Sequence, residues 1–242
     1  MLERVSKTAE RIADWCYPRI CPGCGKVSDR PGRHLCWDCL SRVELYTQSL
    51  CERCGYFVEG QVAHGFICGA CKGATPAFDR VRAAGRFAVV LRELIHQFKY
   101  GQALWLRQDL VDLLHGCLMA HFAPEAVDVV MPVPLHPVRE RERSYNQAAL
   151  LAQGLAQRVG RRYDARALVR TRATETQTRL DAARRRMNML GAFSVTRPAW
   201  VTRRNVLLVD DVMTTGATLN ECARVLKKAG ARAVWAVTVG RG

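Results

Sequence analysis

Residues 206–219 read VLLVDDVMTTGATL, and this stretch decides the fold of the chain. Its apolar start has no polar alternation, which predicts a strand over 205–210 that is buried on both faces. The strand ends in two carboxylates, Asp210 and Asp211, and a Thr/Gly turn then leads into helical apolar spacing as far as Lys228. Backbone N–H groups in such a turn, together with the positive end of the helix dipole, attract an anion. The stretch therefore predicts an anion site at the carboxyl end of a parallel strand.

The same stretch resembles the 5-phosphoribosyl-1-pyrophosphate (PRPP) signature of type I phosphoribosyltransferases, in which apolar residues and two acids precede Thr-Thr-Gly-x-Thr. The resemblance implies that Asp210 and Asp211 are the catalytic acids and hold the ribose hydroxyls of PRPP, which binds with Mg²⁺. It also implies that the turn cradles the 5′-phosphate through Thr214, Thr215, Gly216, Ala217 and Thr218. The structural alternative is an acid that only caps the following helix.

Cysteine spacing is the second informative feature. Eight of the 11 cysteines form four C-x-x-C pairs: Cys21/Cys24, Cys36/Cys39, Cys51/Cys54 and Cys68/Cys71. Such pairs indicate metal binding rather than disulfides in a protein without a signal peptide, and two pairs complete a tetrahedral Cys₄ site. Two structural Zn²⁺ ions are therefore expected, with iron–sulfur ligation as the alternative. The simplest pairing is sequential along the chain, and a cross-braced pairing stays open.

The other candidate ligands have simpler interpretations. With eight thiolates available, His34 and His64 are expected to be surface histidines. The unpaired cysteines lie in helical patterns and are expected to be small buried apolar residues: Cys16, Cys117 and Cys222.

Composition limits the class of protein. No stretch approaches the roughly 20 apolar residues that span a bilayer, so no membrane span is expected. Residues 1–16 have apolar residues at helical spacing broken by charges, which predicts an amphipathic helix rather than a signal peptide, and a cytoplasmic protein. A formal net charge of +15 favours a polyanionic partner or anionic substrates.

Composition also divides the chain. Residues 17–75 hold the cysteine pairs and too few aliphatic residues for a core, so we expect a double zinc ribbon that metal stabilises. Residues 78–242 alternate between strand and helix patterns, which predicts a parallel sheet with helical crossovers. Beyond the first stretch, strands are expected at 82–88, 127–134, 167–169 and 233–239, and helices at 91–98, 104–122 and 146–159.

Several further segments resemble segments of the ComF family and occur in the same order as in that family. Its members join an N-terminal zinc ribbon to a type I phosphoribosyltransferase domain. The segments are 98–101 (FKYG), 132–135 (PVPL), 139–147, Gln177, Arg185 with Asn188, and 191–193 (GAF). The resemblance implies an α/β type I phosphoribosyltransferase fold, with a parallel sheet flanked by helices, preceded by a small zinc-ribbon module. One departure is the sequence RSYNQ at 143–147, where the family usually has RGFNQ.

The resemblance also suggests residues on the pyrophosphate side of the site. Val133 and Pro134 follow the first core strand, where type I enzymes place their pyrophosphate loop. Lys99 is either a phosphate contact or a surface lysine, and Arg139, Arg141 and Arg143 either face the pyrophosphate or form a solvated basic patch. The basic segment 170–186 suits a lid over the substrate or a loop that touches DNA.

Two functions are compatible with these residues. The first is a phosphoribosyltransferase that acts on PRPP, although the sequence indicates neither an acceptor nor a general base. The second is a catalytically silent adaptor that binds nucleotides or single-stranded DNA on the same fold. The ComF resemblance implies a role in natural transformation, with single-stranded DNA and competence or DNA-processing proteins as partners.

Overall fold

The computed structural model describes residues 17–172 and 187–242. The expected N-terminal helix, Cys16, Gln177, Arg185 and most of the expected lid lie outside these residues. The helices are α1 (Trp37–Ser41), α2 (Gly69–Gly73), α3 (Val89–Tyr100), α4 (Arg107–His121), α5 (Pro137–Arg143), α6 (Gln147–Arg158) and α7 (Ala217–Lys228). The strands are β1 (Arg80–Arg86), β2 (Val129–Pro132), β3 (Arg162–Tyr163), β4 (Leu168–Arg170), β5 (Phe193–Val195), β6 (Asn205–Met213) and β7 (Ala233–Arg241).

Five of these strands form a parallel sheet in the order β1-β7-β6-β2-β3. Strand β6 lies at its centre, and its apolar residues 206–209 are fully buried, which confirms the expected fold class. The strand is longer than expected, because pairing with β7 continues as far as Met213 opposite Arg241. The two acids therefore lie within the last part of the strand rather than after its end.

The side chains of β6 alternate between two cores. Leu207 and Val209 pack with α3, α4 and α6 on one face of the sheet. Val206 and Leu208 pack with α7 on the other face. Cys117 and Cys222 are buried in these two cores, one in each, which confirms the prediction for both.

Each zinc ribbon packs against a different core: the first ribbon, which holds the cysteines from Cys21 to Cys39, against one, and the second ribbon, which holds those from Cys51 to Cys71, against the other. Leu35 of the first ribbon joins the core beneath α4, where the carboxylate of Asp109 accepts hydrogen bonds from the backbone N–H groups of His34 and Leu35 at 3.0 and 3.3 Å. In the second ribbon, the backbone carbonyl of Cys51 accepts a hydrogen bond from Arg82 of β1 at 3.2 Å. The apolar surface that the ribbons cannot bury among themselves is therefore buried against the larger domain.

Some elements differ from the sequence expectation. The expected strand at 127–134 is confined to Val129–Pro132, since its pairing with β6 ends at Pro132 opposite Val209. Helix α5 was not expected, because its charged residues give no apolar stripe, although Pro137 occupies a favourable first-turn position. Strands β4 and β5 pair antiparallel in a small separate sheet. In the described part of the chain, every helix is too short or too polar to cross a membrane.

Candidate functional site

The eight paired cysteines form two compact clusters, and the pairing is sequential. In each cluster, all four Sγ atoms lie within 4.8 Å of one another. The first cluster consists of Cys21, Cys24, Cys36 and Cys39, and the second of Cys51, Cys54, Cys68 and Cys71. The Sγ atoms of Cys24 and Cys36 are 3.7 Å apart, as are those of Cys54 and Cys68. Tetrahedral Zn²⁺ with Zn–S bonds of about 2.3 Å needs sulfur atoms about 3.8 Å apart. The clusters therefore fit two structural zinc ions.

One sulfur atom in each cluster, that of Cys21 and that of Cys51, lies where backbone N–H groups favour the thiolate, whereas burial raises the pKa of Cys36, Cys39, Cys54 and Cys71. The backbone N–H of Cys36 donates to Cys21 Sγ at 3.5 Å, and that of Cys68 donates to Cys51 Sγ at 3.3 Å. Burial opposes ionisation of Cys21 and Cys51, yet these and neighbouring N–H donors lower the pKa of each thiol to about 7. A Cβ on Gly23 would lie 2.8 Å from Cys39 Sγ, so this first turn has room only for glycine.

The histidines near the clusters are not ligands. The ring of His34 lies 4.2 Å from the ring of Trp105, and His64 is exposed. In the described residues, neither histidine belongs to a group of side chains whose ligand atoms are close enough together to hold a metal ion.

The acid pair on β6 is joined by a lysine from another helix. Lys99 Nζ, near the end of α3, lies 2.6 Å from Asp211 Oδ1, and the two side chains are 19% and 11% exposed. Lys99 is therefore largely buried, and its ammonium group contacts the acid pair. Its charge partly neutralises the pair, which two adjacent buried carboxylates require.

Asp210 is the more perturbed of the two acids. Burial, followed by the negative charge of Asp211, raises its pKa to about 7, while Lys99 and Arg170 act in the opposite direction. The backbone N–H of Asp211 donates to Asp210 Oδ1 at 2.8 Å and fixes the carboxylate. Oxygen atoms at this position could accept hydrogen bonds from hydroxyl groups or bind a hydrated cation.

The turn after β6 has the geometry of an anion cradle. Gly216 adopts φ +76°, a left-handed conformation that strains other residues, and its Cβ would lie 2.6 Å from Met213 Cε. Gly216 is the N-cap of α7 and provides no side chain to cap it; Ala217 N–H donates to Thr215 Oγ1 at 3.4 Å, and the next N–H groups of the first helical turn can donate to an anion. Thr214 and Thr215 are exposed at the rim, where their hydroxyls can donate as well.

Asn146, which is buried, holds the predicted pyrophosphate-side turn in place. Its Oδ1 accepts from Ala149 N–H at 3.3 Å and caps α6, while its Nδ2 donates to the carbonyl of Val133 at 3.2 Å. Val133 N–H in turn donates to Val209 O of β6 at 2.9 Å. Sequence reasoning missed this role because it depends on a contact between distant segments.

The end of α3 packs against residues 143–147. The guanidinium of Arg143 lies 4.9 Å above the ring of Tyr100 and donates to its hydroxyl at 3.1 Å. Tyr145 OH donates to the carbonyl of Phe98. The FKYG and RSYNQ segments are thus neighbours in space, and Arg143 packs on Tyr100, the residue that follows Lys99.

Ser144 shows why the departure from RGFNQ matters. It follows α5 with φ +68°, in the left-handed region where a glycine is unstrained. Serine accepts that conformation at a cost in free energy.

Comparisons with known proteins match both parts of the chain. Residues 12–72 match the family described as double zinc ribbon domain, and residues 145–241 match the phosphoribosyl transferase domain. Competence protein F of Haemophilus influenzae is 33% identical over 201 residues, covering 81% of this chain and 85% of that protein. DNA utilization protein YhgH of Escherichia coli strain K12 is 33% identical over 220 residues, covering 83% and 93%. Competence protein ComFC of Bacillus subtilis is 28% identical over 211 residues, covering 83% and 81%.

Solved structures give weaker likenesses. Glutamine PRPP amidotransferase from B. subtilis matches with a TM-score of 0.37 and 22% identity, covering 55% of this chain and 25% of that one. A hypoxanthine phosphoribosyltransferase from Staphylococcus aureus matches with a TM-score of 0.35 and 14% identity, covering 55% and 61%. The family assignment depends on the sequence matches and not on these scores.

Proposed function

This chain belongs to the ComF family, and on that premise we propose that it binds PRPP with Mg²⁺ and acts as a phosphoribosyltransferase in DNA uptake during natural competence. Residues 17–75 would be its zinc-ribbon module and residues 78–242 its phosphoribosyltransferase domain. One observation carries the proposal. An acid pair, a left-handed glycine and the N-terminus of helix α7 meet at the end of the central strand β6.

Each part of the site has a role in glycosyl transfer from PRPP. Asp210 and Asp211 would accept hydrogen bonds from the ribose hydroxyls, and residues 214–218 would donate to the 5′-phosphate. The turn at Val133 and Pro134, with Lys99 and Arg143 nearby, would face the pyrophosphate that leaves C1′. Mg²⁺ bound with PRPP would supply further positive charge for this leaving group. Catalysis would come mainly from positioning and from charge stabilisation of an oxocarbenium-like ribose.

Titration calorimetry tests the proposal directly. Zinc-loaded protein is titrated with PRPP with and without Mg²⁺, and the double variant Asp210→Asn, Asp211→Asn is measured alongside. We expect heat of binding only with Mg²⁺ and its loss in the double variant. Asp38→Asn is the control, because this exposed acid lies in the first ribbon away from β6. Absence of binding by the wild type in the presence of Mg²⁺ would rule the proposal out.

A second candidate is a catalytically silent adaptor for nucleotides or single-stranded DNA, with competence or DNA-processing proteins as partners. It is favoured by the formal net charge of +15, and one group of relatives is named for DNA utilization. A screen of acceptors for pyrophosphate release from PRPP separates the two candidates. Release with any acceptor supports the enzyme, whereas PRPP binding without release, together with salt-sensitive binding of single strands, supports the adaptor.

A further inference from the structure

A cavity of about 480 Å³ lies between the second zinc ribbon and the turn after β6. Tyr56 and Ala70 line it from the ribbon, and Phe78 follows the ribbon in sequence. Thr214 and Thr215 line it from the turn, and Arg241 from the end of β7. Small-molecule sites commonly have volumes of about 300–1,000 Å³, so this cavity can hold a nucleotide-sized group.

The cavity adjoins the anion cradle in the turn after β6. It does not adjoin the position proposed for C1′, the reacting carbon of the sugar. Residues 213–217 line both this cavity and the small space that also includes Asp210 and Thr218. In PRPP the pyrophosphate is attached at C1′, at the opposite end of the ribose from the 5′-phosphate. Neither the leaving group nor an acceptor that attacks C1′ therefore reaches the space beyond the 5′-phosphate. PRPP and its reaction leave this cavity unfilled.

The lining of the cavity suits a planar heteroaromatic ring. Phe78 and Ala70 give apolar contact, and the exposed ring of Tyr56 offers a stacking surface. The guanidinium of Arg241 lies 5.6 Å from the centre of the Tyr56 ring and adds positive charge at the same position. Asn220 accepts a hydrogen bond from Ala77 N–H at 2.7 Å through Oδ1, so its amide nitrogen is the group it can offer a ligand. Aromatic stacking with adjacent cationic groups is how proteins bind the bases of single strands.

We propose that this cavity binds the base of a nucleotide that is joined, through a phosphodiester, to the 5′ carbon of the sugar at Asp210 and Asp211. The site as a whole then binds the 3′ end of a single nucleic-acid strand. The terminal sugar presents its free 3′-hydroxyl to the acid pair, the phosphodiester crosses the rim at Thr214 and Thr215, and the penultimate base stacks on Tyr56. This inference uses the sugar and phosphate positions of the proposed PRPP site and therefore rests on the proposed function.

The positive charge of the chain favours a nucleic-acid strand that extends beyond the two nucleotides in the site. The formal net charge of the chain is +15, and Arg241 places one positive group inside the cavity itself. A strand that continues outward from the penultimate nucleotide brings further phosphates to a chain of positive net charge, which strengthens binding through counterion release.

Fluorescence anisotropy with the full zinc-loaded chain tests the inference. The probes are a 5′-fluorescein oligothymidylate with a 3′-hydroxyl and the same strand with a 3′-phosphate. A phosphate at this position meets two carboxylates, so we expect the 3′-hydroxyl strand to bind about tenfold or more tightly. PRPP with Mg²⁺ should displace it by competition. Equal affinity for the two strands, or no competition by PRPP, would overturn the inference.

Variants of Tyr56 locate the binding of the base. For Tyr56→Ala, the ratio of strand affinity to PRPP affinity should fall about tenfold, the effect of one lost base stack, and Tyr56→Phe should restore it. Trp37→Ala is the matched control, because Trp37 is also an exposed ribbon aromatic with a guanidinium, that of Arg30, 5.1 Å from its ring centre. An equal loss in Trp37→Ala, or an unchanged ratio in Tyr56→Ala, would contradict the assignment. If the wild type binds PRPP but does not distinguish the strands, this inference fails and the proposed function stands; if it binds no PRPP, both fail.

Discussion

Replacing Lys99 by methionine tests how the acid pair is stabilised. Lys99 Nζ is 2.6 Å from Asp211 Oδ1, and both side chains are largely buried. Methionine preserves most of the side-chain volume and removes the charge. The carboxylate of Asp211 then lies beside Asp210 without its cation, so we expect the variant to be less stable than the wild type.

The expected loss follows from the distance and the burial of the two charges. At 2.6 Å and an effective dielectric constant of about 20, the attraction between the two charges is about 6 kcal/mol before the cost of desolvation is subtracted. Breaking a buried pair commonly costs about 3–5 kcal/mol. Because the two side chains are still 19% and 11% exposed, we expect a loss at the lower end of this range, about 3 kcal/mol.

Urea unfolding at pH 7 with zinc present, followed by tryptophan fluorescence, measures this loss. The double variant Lys99→Met, Asp211→Asn should recover most of it, because no charge is then left unpaired. Lys227→Met is the matched control: Lys227 Nζ lies 2.7 Å from Asp79 Oδ2, but these side chains are 30% and 44% exposed. An exposed pair of this kind contributes about 0–1 kcal/mol.

Mg²⁺ provides a second readout. If the cation binds at the acid pair, it should stabilise Lys99→Met more than the wild type, because the variant has no lysine to compete with it. A loss below about 1 kcal/mol in Lys99→Met, or no recovery in the double variant, would refute the electrostatic explanation.

Three further predictions concern stability and metal content. Ser144→Gly should raise the free energy of unfolding by about 1 kcal/mol, because glycine is unstrained at φ +68°, and an unchanged melting temperature would contradict this. Gly85→Ala should lower it by about 1–3 kcal/mol, since its Cβ would lie 2.6 Å from Glu44 O, whereas the control Gly116→Ala meets no atom within 4 Å and should be neutral or stabilising. Atomic absorption should find about two zinc ions per wild-type chain and about one in Cys51→Ser, and two in that variant would contradict separate Cys₄ sites.

The sequence predicted those parts of the protein that depend on local patterns. The unbroken apolar run of β6 predicted its burial, and the C-x-x-C spacing predicted two Cys₄ clusters because each pair can reach only nearby thiolates. Helix α6 was expected over 146–159 and forms at Gln147–Arg158, since apolar spacing and the capping residue Asn146 act together. In these regions the local signal and the tertiary structure agree.

The remaining features depend on contacts between distant segments. Strand β6 extends beyond the acids because β7 offers partners up to Arg241, and no signal within 205–210 contains that information. The bond from Asn146 to Val133 and the ion pair of Lys99 with Asp211 likewise join segments that lie far apart along the chain. The prediction that 214–218 cradle a 5′-phosphate remains a prediction for the binding experiments.

Arg241 has a consequence for the two kinds of ligand. One guanidinium nitrogen donates to the carbonyl of Cys54 in the second metal cluster and lies 3.6 Å from Met213 Sδ at the start of the turn. Because the same side chain contacts both sites, we expect zinc and phosphate affinities to be thermodynamically linked at this cluster. Linkage is reciprocal, so a phosphate ligand should slow chelator extraction of the second zinc ion and leave the first unaffected. The metal that folds the ribbon would then also report on the occupancy of the neighbouring anion site.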